Sequence, residues 1–188
     1  RLVNLDLEKK PALRFSRDMF LLSFYLRGIP FVDLVHLRKT DVKHNTIYYY
    51  RHKTRQQLSV HIESYAAQII NRYKNEAASS PYLLLILSLT GEDGYRQYKS
   101  ALRLYNQHLH TLSKMLRLSI PLTSYVARHS WATTAKDEGV AISVISESLG
   151  HTSEKVTHVY LASFDNNAMS KANKKVIATI HPNKKKKP

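Results

Sequence analysis

The chain has 188 residues, no cysteine, and 29 lysines and arginines against 14 acidic residues, which gives a net charge of +15. The absence of cysteine excludes disulfides and thiolate metal sites, and the longest apolar run, residues 82–89, is too short to span a bilayer. Such an excess of positive charge favours a polyanionic partner such as nucleic acid. A basic tail does not explain it, because removing the four lysines at 184–187 still leaves +11 of the +15.

The first third of the chain predicts two helices and a β-hairpin. After a lead-in over residues 1–12, Ser16 is expected to cap a helix that ends near residues 28–30. A short second helix should cover residues 32–37. Residues 46–62 predict a β-hairpin, because two β-forming segments flank a polar connection and the second alternates apolar with polar residues.

The rest of the chain predicts helices, so the expected fold class is mainly α with a small antiparallel β-sheet (α+β). Glycine, proline and serine mark the breaks between helices. The predicted segments are a helix over 63–76, an apolar stretch over 82–89, a long helix from Asp93 to about Leu118, a helix from about Thr123, and further helices divided by Gly139 and Gly150. An amphipathic segment over 165–177 and a loose basic tail over 181–188 are expected to follow.

A tyrosine in a basic chain can act as a nucleophile toward a phosphodiester. A phenol is a poor nucleophile at neutral pH, since its ordinary pKa is about 10, so it needs cations around it. Arginine suits this task because its planar fork binds phosphate oxygens at two points. Tyr160 is considered for this role because it follows His151 by nine residues across a helix break at Gly150, although by composition alone one of 12 tyrosines is expected to pack on a helix face.

Four stretches, in this order, resemble the conserved boxes of the tyrosine recombinase (phage integrase) family. They are LRGIPFVDLVHLRKTDV at 26–42, YRHKTRQQLSVHI at 50–62, YVARHSWATT at 125–134 and LGHTSEKVTHVY at 149–160. The resemblance extends from about residue 14 to 177. The residues in these boxes are most similar to those of integrases of conjugative transposons from gut bacteria.

The resemblance implies a role for each matching residue. Tyr160 would be the nucleophile that forms a 3′-phosphotyrosyl link and releases a 5′-hydroxyl. Lys53 would be the general acid that protonates the leaving oxygen, with Arg55 in the same turn as the alternative. Arg128 would hold the transition-state oxygens, and His151 would hydrogen-bond the phosphate.

Two positions depart from the family pattern. Tyr125 occupies the place of the usual histidine, so it either changes the proton path or only positions the phosphate. The usual first-box arginine falls at Pro30, with Asp33 at the acidic position. Arg27 is the expected substitute and Arg38 the poorer one, so Arg27→Ala but not Arg38→Ala should abolish covalent complex formation.

The resemblance also implies the setting of the reaction. Residues 1–180 would be the catalytic domain, 181–188 a disordered basic tail, and the N-terminal arm and core-binding domains would lie outside this chain. The partner would be double-stranded DNA in the bacterial cytoplasm at the nucleoid. The full-length protein would form a homo-oligomer, a synaptic tetramer, and would use neither cofactor nor metal. The alternatives are a catalytically inactive DNA-binding module of the same fold and a type IB topoisomerase-like strand transferase.

Overall fold

A computed structural model describes residues 1–162 of the chain. The predicted segments at 165–177 and 181–188 lie outside the described residues. The described part is mainly helical with one three-stranded antiparallel sheet, which confirms the predicted fold class. Its elements are α1 Pro11–Tyr25, α2 Phe31–His36, β1 Val42–Lys43, β2 Thr46–Tyr50, β3 Gln57–His61, α3 Ser64–Arg72, α4 Gly91–Met115, α5 Val126–Asp137, α6 Ile142–Leu149 and α7 Glu154–Ala162.

Helix α1 begins five residues before the predicted cap. Pro11 occupies the first turn, where its missing N–H is not needed and its fixed φ favours the helix. Ser16 is therefore not a cap, and that prediction was wrong. Its side chain is buried in mid-helix, where Oγ lies 2.8 Å from His108 Nδ1 and links α1 to α4.

The chain after α1 turns sharply into a loop that later supports the site. Arg27 and Gly28 both adopt the left-handed conformation, with φ of 57° and 71°. The Gly28 amide donates to the Ser23 carbonyl at 2.8 Å, and the Ser23 hydroxyl donates to the Ile29 carbonyl at 2.6 Å. These bonds satisfy a carbonyl in the last turn of α1 and fix the backbone of residues 26–30.

The predicted hairpin is confirmed as β2 and β3, with Ile47 opposite Val60 and Tyr49 opposite Leu58. These four side chains are buried, so the alternation in the sequence correctly marks the inward face of the sheet. The short strand β1, which pairs with the start of β2, was not predicted. Two residues are too few for a periodic signal.

Helix α1 is the centre of the main core, where it packs against α3, α4 and α5. A second, smaller core lies between α5, α6 and α7 and contains Ala132, Ile145, Leu149 and Leu161. Within residues 1–162, no helix combines the length and the apolar character that a membrane span requires.

The predicted helix break before Tyr160 is confirmed. Helix α6 ends at Leu149, and Gly150 follows with φ of 63°, the left-handed conformation that glycine favours. Helix α7 then begins at Glu154, so α6 and α7 pack against each other. The break therefore places His151 and Tyr160 on the same side of the molecule.

Candidate active site

Arg128 is buried within α5 and its guanidinium is held by backbone carbonyls. Its Nη1 donates to the Gly28 carbonyl at 3.1 Å, and its Nη2 donates to the Leu149 carbonyl at 2.6 Å. The same Nη2 lies 3.3 Å from His151 Nε2. Loop 26–30 and the end of α6 thus fix the orientation of this cation.

The close approach of Gly28 to α5 has a steric cause. A Cβ at Gly28 would lie 2.7 Å from the Arg128 Cα, a distance that side chains do not reach. Only glycine allows the loop to lie against this helix and to accept the bond from Arg128.

A second buried arginine, Arg51, enters the site from the end of β2. It is 6% exposed and forms a salt bridge with Asp33, which is buried in α2. Asp33 also accepts a hydrogen bond from the His52 amide at 2.8 Å. The Arg51 side chain packs against Gly150: a Cβ added at Gly150 would lie 2.9 Å from the Arg51 Cγ. Burial and, after it, the positive charge of Arg51 lower the pKa of Arg128.

His151 is neutral at neutral pH. Burial and, after it, the charges of Arg128, Arg51 and Lys53 lower the pKa of His151 to about 4. A guanidinium can only donate, so the Nε2 that faces Arg128 carries a lone pair. The remaining proton is on Nδ1, which therefore donates to the Thr157 hydroxyl at 2.8 Å. Thr157 is fully buried and fixes the ring.

Lys53 lies in the exposed turn of the hairpin, close enough for its charge to affect His151. The turn is anchored on both sides of it. Arg51 and His52 bind Asp33, and the Thr54 hydroxyl donates to the Gly150 carbonyl at 3.3 Å. Arg55 is exposed and takes the left-handed conformation that closes the turn.

Two aromatic side chains contact Tyr160: Tyr125, immediately before α5, and His129, within α5. The His129 ring stacks on the Tyr160 ring with centroids 4.7 Å apart and an angle of 17°. Tyr125 contacts both rings edge-on, at 4.5 Å from His129 and 6.1 Å from Tyr160. Tyr125 itself is 47% exposed, so the cluster opens to solvent on its side.

The Tyr160 phenol is protonated in the free protein. Burial raises the pKa of Tyr160 most, Tyr125 raises it further, and the Arg128 guanidinium acts in the opposite direction. The ring of His151 lies 5.5 Å from that of Tyr160, nearly perpendicular to it. The phenol, the neutral imidazole and the buried cation are therefore neighbours.

Arg27 lies beside β3. Its Nη1 is 3.5 Å from the Ser59 carbonyl, and it borders a cleft shared with Gln57 and Glu147. Arg38 is exposed and its backbone pairs with Tyr82. The assignment of the first arginine to Arg27 stays a prediction, and Arg51 is the cation that lies beside Arg128 and His151.

The sequence contained a signal for Arg51 that the prediction did not use. Residues 47, 49 and 51 alternate along β2, so residue 51 continues the inward face. An arginine on an inward face needs an acidic partner, and Asp33 at the acidic position of the first box supplies it. No sequence signal marked the stacking of His129 on Tyr160.

Comparisons with known proteins identify the family and the fold. Residues 8–167 match the Phage integrase family. A search of curated protein sequences found no match.

Solved structures share the fold at low identity. XerH recombinase with a palindromic difH substrate, in a post-cleavage complex, has 15% identity and a TM-score of 0.65, covering 92% of this chain and 48% of that one. A lambda integrase dimer (residues 75–356) bound to a COC′ core site has 14% identity and a TM-score of 0.60, covering 85% and 56%. The Tn1549 transposon integrase with a circular intermediate DNA has 15% identity and a TM-score of 0.58, covering 91% and 64%.

The chain spans about half to two thirds of the length of these three structures. Likeness at such identities establishes the fold, while the family match covers most of the 188 residues. The chain belongs to the phage integrase family, the tyrosine recombinases, and contains its catalytic-domain fold.

Proposed function

We propose that this chain is the catalytic domain of a site-specific DNA recombinase that integrates or excises a mobile element. The observation that carries the proposal is the convergence of two buried arginines, a neutral histidine and Tyr160 from segments far apart in sequence. The residues in the four boxes support a conjugative-transposon integrase. The proposed catalytic set is Tyr160, Arg128, Arg51, His151, Lys53 and Tyr125, with Arg27 as the alternative first arginine.

The proposed reaction is a transesterification. The Tyr160 oxygen attacks the scissile phosphorus, a phosphotyrosyl bond forms, and the bond from phosphorus to the 5′-oxygen breaks. Lys53 gives its proton to that oxygen, which leaves as a hydroxyl. One phosphate ester replaces another, so the bond energy is stored for the second strand transfer.

Arg51 and Arg128 supply the electrostatic part of the catalysis. Both are buried and held in place before DNA arrives, so they need no reorganisation when charge develops on the non-bridging oxygens. The Arg51 Nε is buried and has no hydrogen-bond partner within the described residues.

His151 is the proposed acceptor of the phenolic proton. It is neutral, and its Nε2 lone pair is on the side of Arg128, beside Tyr160. Thr157 accepts from Nδ1 and so keeps the lone pair on Nε2, where it accepts from Arg128 in the free protein. Tyr125 has no basic lone pair comparable to that of the histidine it replaces, so we assign it to holding the phenol and the phosphate in place.

A covalent-adduct assay tests the proposal. The parent protein, in its full-length form, is incubated with a nicked suicide substrate whose short cleaved strand diffuses away. We expect a protein–DNA adduct that Tyr160→Phe abolishes and the matched control Tyr65→Phe, at an exposed tyrosine of α3, does not.

Other outcomes identify the rival functions. Tight duplex binding without any adduct would indicate a DNA-binding module, which Tyr125 at the histidine position favours. Adduct formation with relaxation of supercoiled DNA, but no exchange between two sites, would indicate a topoisomerase-like enzyme. We further propose duplex DNA at the nucleoid as the partner, and a homo-oligomer on DNA, as in the lambda integrase dimer.

A further inference from the structure

A cavity of about 510 Å³ lies beside the hairpin turn, outside the catalytic cluster. It is an open cavity bordered by α2, the turn, the segment 82–90 and the beginning of α4. Its size falls within the range of small-molecule sites. Leu87 and Leu89 line part of it, and the remaining wall is largely aromatic.

Four rings along this wall form a continuous row, which we call the ring row: His52, His36, Tyr98 and Tyr95. Successive centroids are 5.5, 6.3 and 6.4 Å apart. His52, His36 and Tyr95 are exposed, so the row is not part of the packed core. Buried aromatic side chains of a core would not leave this much ring surface in contact with solvent.

The charges around the ring row favour an anionic ligand. Lys99 lies over the Tyr95 ring at 5.0 Å, and Arg38 borders the same cavity. Two of the nearby acids are paired, Glu92 with Arg96 at 2.9 Å and Asp33 with Arg51, and Asp93 lies beside the same wall in the first turn of α4. Aromatic rings with flanking cations are the usual platform for unpaired nucleobases.

The position of the ring row relates it to one strand of the substrate. His52 directly precedes Lys53, the proposed donor of the proton to the 5′-oxygen. The strand that begins at this oxygen must separate from its complement before it can be joined elsewhere, which exposes unpaired bases. We propose that the ring row binds the first unpaired bases of the freed 5′-hydroxyl strand.

This inference rests on the proposed function, and its test does not depend on catalysis. The Tyr160→Phe protein is titrated, by fluorescence anisotropy, into two duplexes with the same paired sequence. One is blunt, and the other carries a four-nucleotide unpaired extension ending in a 5′-hydroxyl. We expect tighter binding of the extended duplex, by about fivefold or more, because each stacked base contributes about 1–3 kcal/mol.

Variants at exposed positions assign the effect to the ring row. The double variant His36→Ala, Tyr95→Ala should lose the preference for the extended duplex and keep its affinity for the blunt one. The double variant His36→Phe, Tyr95→Phe retains ring surface and should keep the preference. Tyr65→Ala removes an exposed tyrosine of α3 and should behave like its parent.

Two results would overturn the inference: equal binding of both duplexes by the Tyr160→Phe protein, or an unchanged preference in the double alanine variant. Neither result affects adduct formation by Tyr160 in the suicide-substrate assay. Conversely, loss of the adduct with an intact preference for the extension would refute the proposed function alone. The two proposals can therefore fail separately.

Discussion

Arg51 provides the sharpest test of the site, because it was assigned from the structure and not from a motif. The single change Arg51→Ala removes one proposed phosphate ligand and also leaves Asp33 as a buried carboxylate without its cation. Breaking a buried pair in this way costs about 3–5 kcal/mol of stability, which could unfold the protein. Activity measured on that variant alone would therefore be ambiguous.

The double variant Arg51→Ala, Asp33→Asn separates catalysis from folding. The amide introduced at position 33 retains an oxygen for the His52 N–H and carries no charge, so most of the stability should return. Adduct formation should still fall by about a hundredfold or more, the usual cost of removing one group that stabilises transition-state charge. Asp33→Asn alone breaks the same buried pair but keeps the arginine, so it should lose stability and retain most of the adduct formation per folded molecule.

Two controls make the Arg51 result specific. Arg72→Ala breaks another arginine–aspartate pair, with Asp18, far along the chain from the site and should lower stability without lowering adduct formation per folded molecule. Arg27→Ala tests the rival assignment. A folded Arg51→Ala, Asp33→Asn protein that forms adduct at the parental rate, as judged by its denaturation midpoint and single-turnover kinetics, would refute the role of Arg51.

Three further outcomes follow from the geometry. Gly28→Ala should cost about 1–3 kcal/mol more than Gly139→Ala in urea denaturation, since both glycines have positive φ but only Gly28 would place a Cβ against α5; equal costs would contradict the close approach. His151 should make the free energy of unfolding constant above about pH 6.5 and lower toward pH 4, because its pKa is depressed in the folded state. Partial exposure reduces this loss to about 1 kcal/mol, and it should disappear in His151→Gln. The logarithm of duplex affinity should fall linearly with the logarithm of salt concentration, with a slope of about −0.9 for each neutralised phosphate. An affinity that does not change with salt would exclude contacts with DNA phosphates as the main source of binding.

Local pattern was enough to predict most of the fold. The hairpin was predictable because one face of the sheet is buried, so its alternation appears directly in the sequence. The helix break at Gly150 was predictable because its φ of 63° suits glycine. The start of α1 was missed because Ser16 satisfies a local capping rule, whereas its hydroxyl contacts His108 in α4. Tertiary contacts of this kind leave no local pattern.

The site was predictable only where a residue type and its spacing carry the chemistry. Tyr160 and His151 are nine residues apart, so one motif marks both. Arg51, Asp33 and Gly28 join the proposed site through contacts across long stretches of chain: a salt bridge from the residue after β2 to α2, and a carbonyl in the loop after α1 that accepts a hydrogen bond from α5. Such pairs become visible only when the fold brings their elements together.

The arrangement also explains how the free site tolerates two adjacent buried cations. Arg51 and Arg128 repel each other, and Asp33 balances only one of them. The carbonyls of Gly28 and Leu149 and the lone pair of His151 accept hydrogen bonds from Arg128 in the free protein. These neutral acceptors satisfy hydrogen bonds but do not cancel charge, so the site keeps a net positive charge while His151 and Tyr160 remain neutral. The proposed phosphodiester substrate would supply the missing negative charge, and binding it would relieve a repulsion that the fold sustains by itself in the free protein.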